Sequence, residues 1–291
     1  MRLNSTHHYR VFSLLVRSEL PLFVPEQPKL SREPDIEVRR GGVGPLDGCS
    51  GLQVDLAGVR ARISDESTVV VDPNDRGTPM VSNVVLKRCL PALLFERGCA
   101  ILHASGAAVD GSGVALVGPQ DAGKSSLVTA MCQRGHRFLT DDVLIVVETD
   151  DIWRAVPSFP RISLAPETRE ALDFDRPKVA PADGTSFGPW FDVEDRFEHD
   201  PVPVDVIYVL EERGGVESPN SRTTEGQRSM ERLIQHSVLS PGLDLTDPLG
   251  RQFRQCAELC QSVPVKVLER PDGFETIPDV VGRVEADLRA M

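Results

Sequence analysis

The chain has 291 residues, 40% of them hydrophobic, with 32 lysines and arginines against 44 aspartates and glutamates and a formal net charge of −12. That length and apolar content suit one main domain with a sizeable core and a smaller appended lobe. The acidic balance, without a basic run of five or more residues, argues against nonspecific binding to nucleic acid or to an anionic membrane.

Residues 1–80 read as a β-rich lobe. The runs YRVFSLLVRS, DIEVRR, GLQVDLAG, VRARIS and STVVVD are short, β-prone and separated by Pro, Gly and Asp. The opening segment MRLNSTHHYRVFSLLVRSELPLF lacks the apolar core and small-residue cleavage site of a secretory signal. No apolar run approaches the roughly 20 residues that span a bilayer. A cytoplasmic protein is expected. The six cysteines, Cys49, Cys89, Cys99, Cys132, Cys256 and Cys260, contain no Cys-x-x-Cys pair, so buried small hydrophobes are expected rather than a zinc site.

Residues 81–291 form the second expected domain. Over 81–98 the period changes: Val84, Val85, Cys89, Leu90, Leu93 and Leu94 recur at helical spacing, Gly98 supplies a stop, and Pro91 supplies a kink. Two apolar runs, CAILHASGAAV and GVALVG, flank the hairpin turn Asp110-Gly111-Ser112-Gly113. A helix is predicted over 124–134, then two strand segments in RFLTDDVLIVVE. Residues 174–204 read as a long Pro-, Asp- and Gly-rich loop, a candidate lid. PVDVIYVLEE is a buried-strand candidate and GGVESPNSRTTEG a polar loop. Helices are predicted near 226–239, 248–262 and 277–290, with a strand VPVKVLE between the last two.

The chemistry concentrates in VGPQDAGKSS. Gly118, Pro119, Gln120, Asp121, Ala122, Gly123, Lys124 and Ser125 fit G-x-x-x-x-G-K-[ST], with Ser126 next in line. Glycines let the backbone curl so that N–H groups point inward, and the helix N-terminus adds partial positive charge. In such a loop Lys124 reaches the β- and γ-phosphates of ATP and the Ser125 hydroxyl ligates Mg²⁺. The bland alternative is a Gly-rich strand-to-helix turn. Asp141 and Asp142 follow the next apolar segment, where acids beside a phosphate loop commonly serve a metal and a base; the alternative is a solvated turn. His103 alone reads as a packed histidine, and Arg161 as a cation that could neutralise phosphoryl charge.

The run LHASGAAVDGSGVALVGPQDAGKSSLVTAMCQRGHRFLTDDVLIV, from Leu102 to Val146, resembles the HPr kinase/phosphorylase family in its Leu-His start, its loop, its RGHRF helix exit and its Asp-Asp pair. The start YRVFSLLVRSELPL and the later PRISL resemble HPr-kinase-related proteins, some of which phosphorylate lasso-peptide precursors. The resemblance implies an α/β fold with a phosphoenolpyruvate carboxykinase-like P-loop kinase core, a small β-rich N-terminal lobe and a helical C-terminal part. It implies transfer of phosphate from ATP, with Mg²⁺, to a serine of a peptide or protein acceptor. His103 falls on the family's histidine near the phosphates, and Asp141 and Asp142 on the acidic pair that serves base and metal; the division between them stays open, with Asp141 favoured as the base and Asp142, with Ser125, nearer the metal. Family members form hexamers, which leaves a homo-oligomer open. The family's downstream Glu-x-Arg-Gly-x-Gly stretch is not present. A nucleotide-binding module with little catalysis, or a plain P-loop NTPase, are the other readings.

Overall fold

The computed structural model describes residues 6–29, 32–44, 52–179, 189–211, 214–237 and 248–291. The β-prone runs of the N-terminal lobe become β1 (His7–Val11), β2 (Leu14–Ser18), β3 (Ile36–Arg40), β4 (Leu52–Leu56), β5 (Val59–Ile63) and β6 (Thr68–Asp72). They form one sheet in the order β1-β2-β3-β6-β5-β4. One face alternates into a core through Val16, Ile36, Val38, Val59, Ala61, Val69 and Val71, as a half-buried sheet with a period of two residues requires.

That core is closed by the next helical stretch. Helix α1 (Thr78–Val84) runs through a single π turn, Val85–Cys89, into α2 (Leu90–Glu96). The expected kink is this widened turn. Leu90 donates its N–H to the Val85 carbonyl, five residues back, and Pro91 has no N–H to restore the tighter pattern. Met80, Val84, Leu86, Leu90 and Leu93 share one core with the first sheet. The boundary expected at 80/81 therefore divides residues that pack together.

The rest is a mixed α/β unit. Its strands are β7 (Ala100–Leu102), β8 (Ala104–Val109), β9 (Ser112–Val117), β10 (Arg137–Thr140), β11 (Leu144–Thr149), β12 (Ile152–Val156), β13 (Arg161–Ser163), β14 (Trp190–Asp192), β15 (Val202–Leu210), β16 (Asn220–Thr224) and β17 (Val265–Glu269). Its helices are α3 (Lys124–Gln133), α4 (Pro166–Ala171), α5 (Gln227–Gln235), α6 (Pro248–Ser262) and α7 (Ile277–Arg289). Nine strands make the main sheet, in the order β10-β8-β9-β15-β12-β11-β7, with β17 pairing β15 and β16 pairing β17. The expected hairpin joins β8 to β9 with Val109 opposite Ser112. β9, β15 and β17 are parallel neighbours.

Central strands of this sheet are buried on both faces. Along β9, Val114 and Leu116 pack with α3 and α7, while Ala115 and Val117 pack with α5 and α6. β15 repeats the pattern with Val206, Tyr208 and Leu210 on the first side and Ile207 and Val209 on the second. This is why both strands read as continuous apolar runs rather than as alternation.

Three expectations need correction. The polar segment expected as loop around 214–226 contains β16, an edge strand that pairs with β17 from Asn220–Glu269 to Thr224–Val265. An edge strand exposed on one side carries polar residues without penalty, so hydrophobic periodicity is silent there. The single apolar run CAILHASGAAV is two strands that part at His103. The candidate lid at 174–204 is packed where it is described: β14 pairs with β13, and Phe191 is 1% exposed. Its residues 180–188 lie outside the described residues, as does Cys49. Among the described cysteines Cys89, Cys132 and Cys256 are buried and all five are free thiols. No described helix is long and apolar enough to cross a membrane.

Candidate active site

The phosphate loop leaves β9 at Gly118, and its position against β15 dictates that residue. A Cβ there would lie 3.0 Å from the Leu210 carbonyl oxygen and 3.1 Å from the Leu210 Cβ. The loop closes through a turn, Ala122 N–H to the Pro119 carbonyl at 3.2 Å. It enters α3 through Gly123, whose φ of 88° is left-handed and suits glycine. Pro119, Gln120 and Asp121 are exposed, and Ala122 is buried. α3 has no side-chain cap at its N-terminus, so the first amides of the helix and its partial positive charge face the loop.

Lys124 is 7% exposed. Its Nζ donates to the Gly118 and Pro119 carbonyls, each at 2.9 Å, which curls the loop around it. Burial pulls the ammonium below its usual range; Asp141, Asp142 and Asp121 offset part of this, and Arg270 adds to it. Arg270, at the end of β17, donates to the Ala122 carbonyl from the opposite side. The loop, Glu211 at the end of β15 and Arg270 thus meet at the carboxyl ends of three parallel strands, where open α/β sheets bind ligands. Ser126 turns away from the loop, its Oγ 3.4 Å from Thr168 Oγ1 on α4.

Ser125 and Asp141 are joined directly, Oγ to Oδ1 at 2.6 Å. Ser105 on β8 donates to the same oxygen at 2.7 Å, and the Ser163 N–H to Asp141 Oδ2 at 3.4 Å. Asp141 is 8% exposed. Asp142 faces elsewhere. It sits at φ 80°, a left-handed conformation that a non-glycine residue rarely adopts. That backbone sends the two adjacent carboxylates in different directions. Asp142 Oδ2 accepts from Lys87 Nζ at 2.8 Å, and Oδ1 lies 3.1 Å from His103 Nδ1. The His103 ring also reaches the Asp142 backbone carbonyl at 2.9 Å. Burial alone would raise the Asp142 carboxyl, but the Lys87 ammonium and the His103 ring outweigh it and hold the group far below the usual carboxylate range.

The expected pairing of Ser125 with Asp142 around a metal is therefore not what the side chains form: Ser125 bonds Asp141, and Asp142 bonds His103 and Lys87. Spacing cannot distinguish two neighbouring acids, because the choice depends on one φ angle. Arg161 is also not brought to the loop. Its Nη1 donates to Asp192 at 2.7 Å and to the Pro160 carbonyl, and its Nε to the Phe23 carbonyl, so it clamps β13, β14 and the N-terminal lobe.

Several residues at the site went unread in the sequence. Lys87 is carried on the π turn, and its only sequence signal is that it is one of two adjacent charges, with Arg88, inside the otherwise apolar VVLKRCLPALLF. His236, at the end of α5, accepts the His103 backbone N–H on its carbonyl at 2.6 Å. Burial lowers the His236 ring, and the nearby charges of Lys124, His103 and Arg232 lower it further. Ser105 and Arg270 carry no motif at all.

A magnesium ion fits this donor set. Among the described residues no three His, Cys, Asp or Glu side chains gather as a metal cage. Ser125 and Asp141 offer one hydroxyl and one carboxylate beside the phosphate loop, and magnesium characteristically takes one or two protein oxygens and completes its shell with phosphate and water.

No protein-family model matches the chain, and no curated protein does. Among solved structures the chain is similar to the Hpr(Ser) kinase/phosphatase from Coxiella burnetii, at 15% identity and a TM-score of 0.36, over 66% of this chain and 92% of that one. A likeness at that level leaves the site to be read from its own geometry.

Proposed function

We propose that the protein is a magnesium- and ATP-dependent phosphotransferase that delivers the γ-phosphate to a serine hydroxyl of a peptide or protein. The observation that carries this reading is the division of labour between adjacent acids: Asp141 bonds the phosphate-loop serine, while Asp142 bonds a histidine and lies outside that contact. A site that only held nucleotide has use for the first arrangement and none for the second.

In this reading the loop amides and Lys124 bind the β- and γ-phosphates, and Arg270 braces the loop at Ala122. Ser125 and Asp141 hold the cation, with Ser105 fixing the Asp141 carboxylate. When bound, magnesium neutralises charge on the phosphate oxygens. Asp142 and His103 face the acceptor. With Lys87 on one carboxylate oxygen and His103 at the other, the part of Asp142 is to accept the hydrogen bond of the serine hydroxyl and orient it. That suffices for a loose transition state, in which catalysis is mostly positioning and electrostatics: the bond from the γ-phosphorus to ADP breaks as the bond to the serine oxygen forms, ADP leaves, and the hydroxyl proton is released to solvent once the new bond has formed. The roles expected for the two acids are thereby exchanged, and Arg161 is assigned a structural one.

The test is incubation of the purified protein with γ-labelled ATP, magnesium and a pool of serine-containing peptides, read by mass spectrometry. One added phosphate on a serine, absent with Lys124→Ala, is the expected result. Steady release of phosphate to water at the same rate with and without peptides would instead favour a plain NTPase.

A further inference from the structure

The contact between Lys87 and Asp142 joins two parts of the molecule. Lys87 lies in a helix that shares its core with the N-terminal sheet, while Asp142 lies at the phosphate site. Leu86 before Lys87 and Cys89 two residues after it are fully buried, Arg88 between them is half-buried, and the Lys87 side chain itself is only 12% exposed. A lysine in such surroundings requires a partner. Among the described residues it has two: the Asp142 carboxylate at 2.8 Å and the Trp190 ring, whose centroid is 5.6 Å from Nζ.

Two irregularities meet at this contact. Lys87 sits inside the one π turn of the described helices, and π turns within α-helices recur at functional sites. Asp142 sits in a left-handed backbone conformation, which aspartate adopts more readily than most residues and which turns its carboxylate away from that of Asp141. Lys87 grips one carboxylate oxygen and His103 the other, so the side chain is held at both ends. Neither irregularity is needed for the phosphate loop, which is built from its own residues.

We propose that Lys87 is a positioning residue for phosphoryl transfer: from the N-terminal helix it locks the Asp142 carboxylate against His103, so that transfer depends on the docking of that helix. The inference rests on the phosphotransferase reading. Lys87 acts through Asp142, which distinguishes it from Lys124, whose partners are the loop carbonyls. It also separates nucleotide binding from transfer, because Lys87 makes its contacts with Asp142 and Trp190 and none with the loop.

The experiment uses the full chain with γ-labelled ATP, magnesium and the serine-peptide pool, comparing wild type, Lys87→Met, Lys87→Arg, Asp142→Asn and the Lys87→Met/Asp142→Asn double variant. Misplacing a reacting group by about 1 Å costs on the order of 100-fold in rate. Lys87→Met is expected to lower kcat by about that factor and to leave the affinity for magnesium-ATP, measured by calorimetry, unchanged. Lys87→Arg keeps the cation and restores most of the rate. The double variant is no slower than Asp142→Asn alone, the signature of two residues acting through one contact. In the ligand-free protein, the ring ¹⁵N signals of His103 shift in Lys87→Met and return in Lys87→Arg. Should Lys87→Met not fold, Lys87→Gln takes its place with the same expectations. A folded Lys87→Met that transfers as fast as wild type overturns the inference and leaves the phosphotransferase reading standing. So does a double variant slowed by the product of the two single factors. A wild-type protein that transfers to no peptide in the pool overturns both.

Discussion

In the proposed reading the site has a phosphate half and an acceptor half, and the two are built by different means. The phosphate half is continuous in sequence: a strand, a six-residue loop and a helix, Ser112 to Gln133, with Lys124 bonded to carbonyls five and six residues back. The acceptor half is assembled from far apart: Lys87 and Asp142 are 55 residues apart, and His103 and Asp142 are 39 apart. The first depends on backbone geometry and survives wherever that turn forms. The second exists only when the sheet closes, the N-terminal helix docks and one residue takes a left-handed φ. The first is a local property of the chain, whereas the second is a tertiary one.

The comparison can be broken most strongly from the phosphate side. Lys124→Ala removes the buried cation of the loop, and both magnesium-ATP affinity and transfer are expected to fall, transfer by about 100-fold or more. Calorimetry and peptide phosphorylation check this together; unchanged affinity would move the phosphate site elsewhere. Asp142→Asn sharpens the contrast. It is expected to leave affinity within about twofold and to lower transfer by about 100-fold, the cost of a misplaced acceptor hydroxyl. An equal loss in both quantities would return Asp142 to the metal.

Arg161→Met tests a residue that belongs to neither half. It leaves Asp192 without its cation and two carbonyls without a donor. A stability loss of about 1–3 kcal/mol is expected, read from urea unfolding, with the rate of the folded protein unchanged. A rate loss without a stability loss would restore the role first expected of Arg161.

The smallest effect concerns the support beneath the phosphate half. Asp287 on α7 is 5% exposed and accepts from Tyr208 on β15 and Ser221 on β16, with Lys266 and Arg283 beside it. Burial would raise its carboxyl, but these partners together hold it below the usual range. A folded-state value below the unfolded one means that the unfolded chain binds the extra proton first. The contribution is therefore complete above the unfolded value, about 3.9 for an aspartate, and is lost as pH falls through the folded value. Asp287→Asn is expected to lower the thermal midpoint at pH 7 and to flatten its decline below about pH 4, leaving the Lys87–Asp142 contact intact. An unchanged acid limb would mean that other carboxylates govern it.

Much of the architecture was legible because it is local. Four of the five expected runs in the N-terminal sheet each hold one strand, since β-prone residues bounded by Pro, Gly and Asp mark strand ends, whereas YRVFSLLVRS holds two, β1 and β2, that turn back at Phe12 and Ser13. The hairpin before the loop and the helix after it were legible for the same reason. β16 was not, because a polar edge strand has no apolar face to betray it. The lid reading of 174–204 did not anticipate that Trp190 and Phe191 would be buried in β14, because pairing with β13 is a contact made across the fold.

At the site, the sequence by itself determined the Gly-rich turn: a glycine where a left-handed residue is required, then a lysine and a serine opening a helix. It also placed His103, Asp141 and Asp142 as a set. Only the tertiary structure decided that Ser125 takes Asp141, that Asp142 takes His103 and Lys87, and that Arg161 is spent on Asp192. The physical reason is range. Turn and helix geometry are set by residues within a few positions of one another, whereas the partner of a buried charge is chosen by whichever opposite charge the closed fold brings within hydrogen-bonding distance.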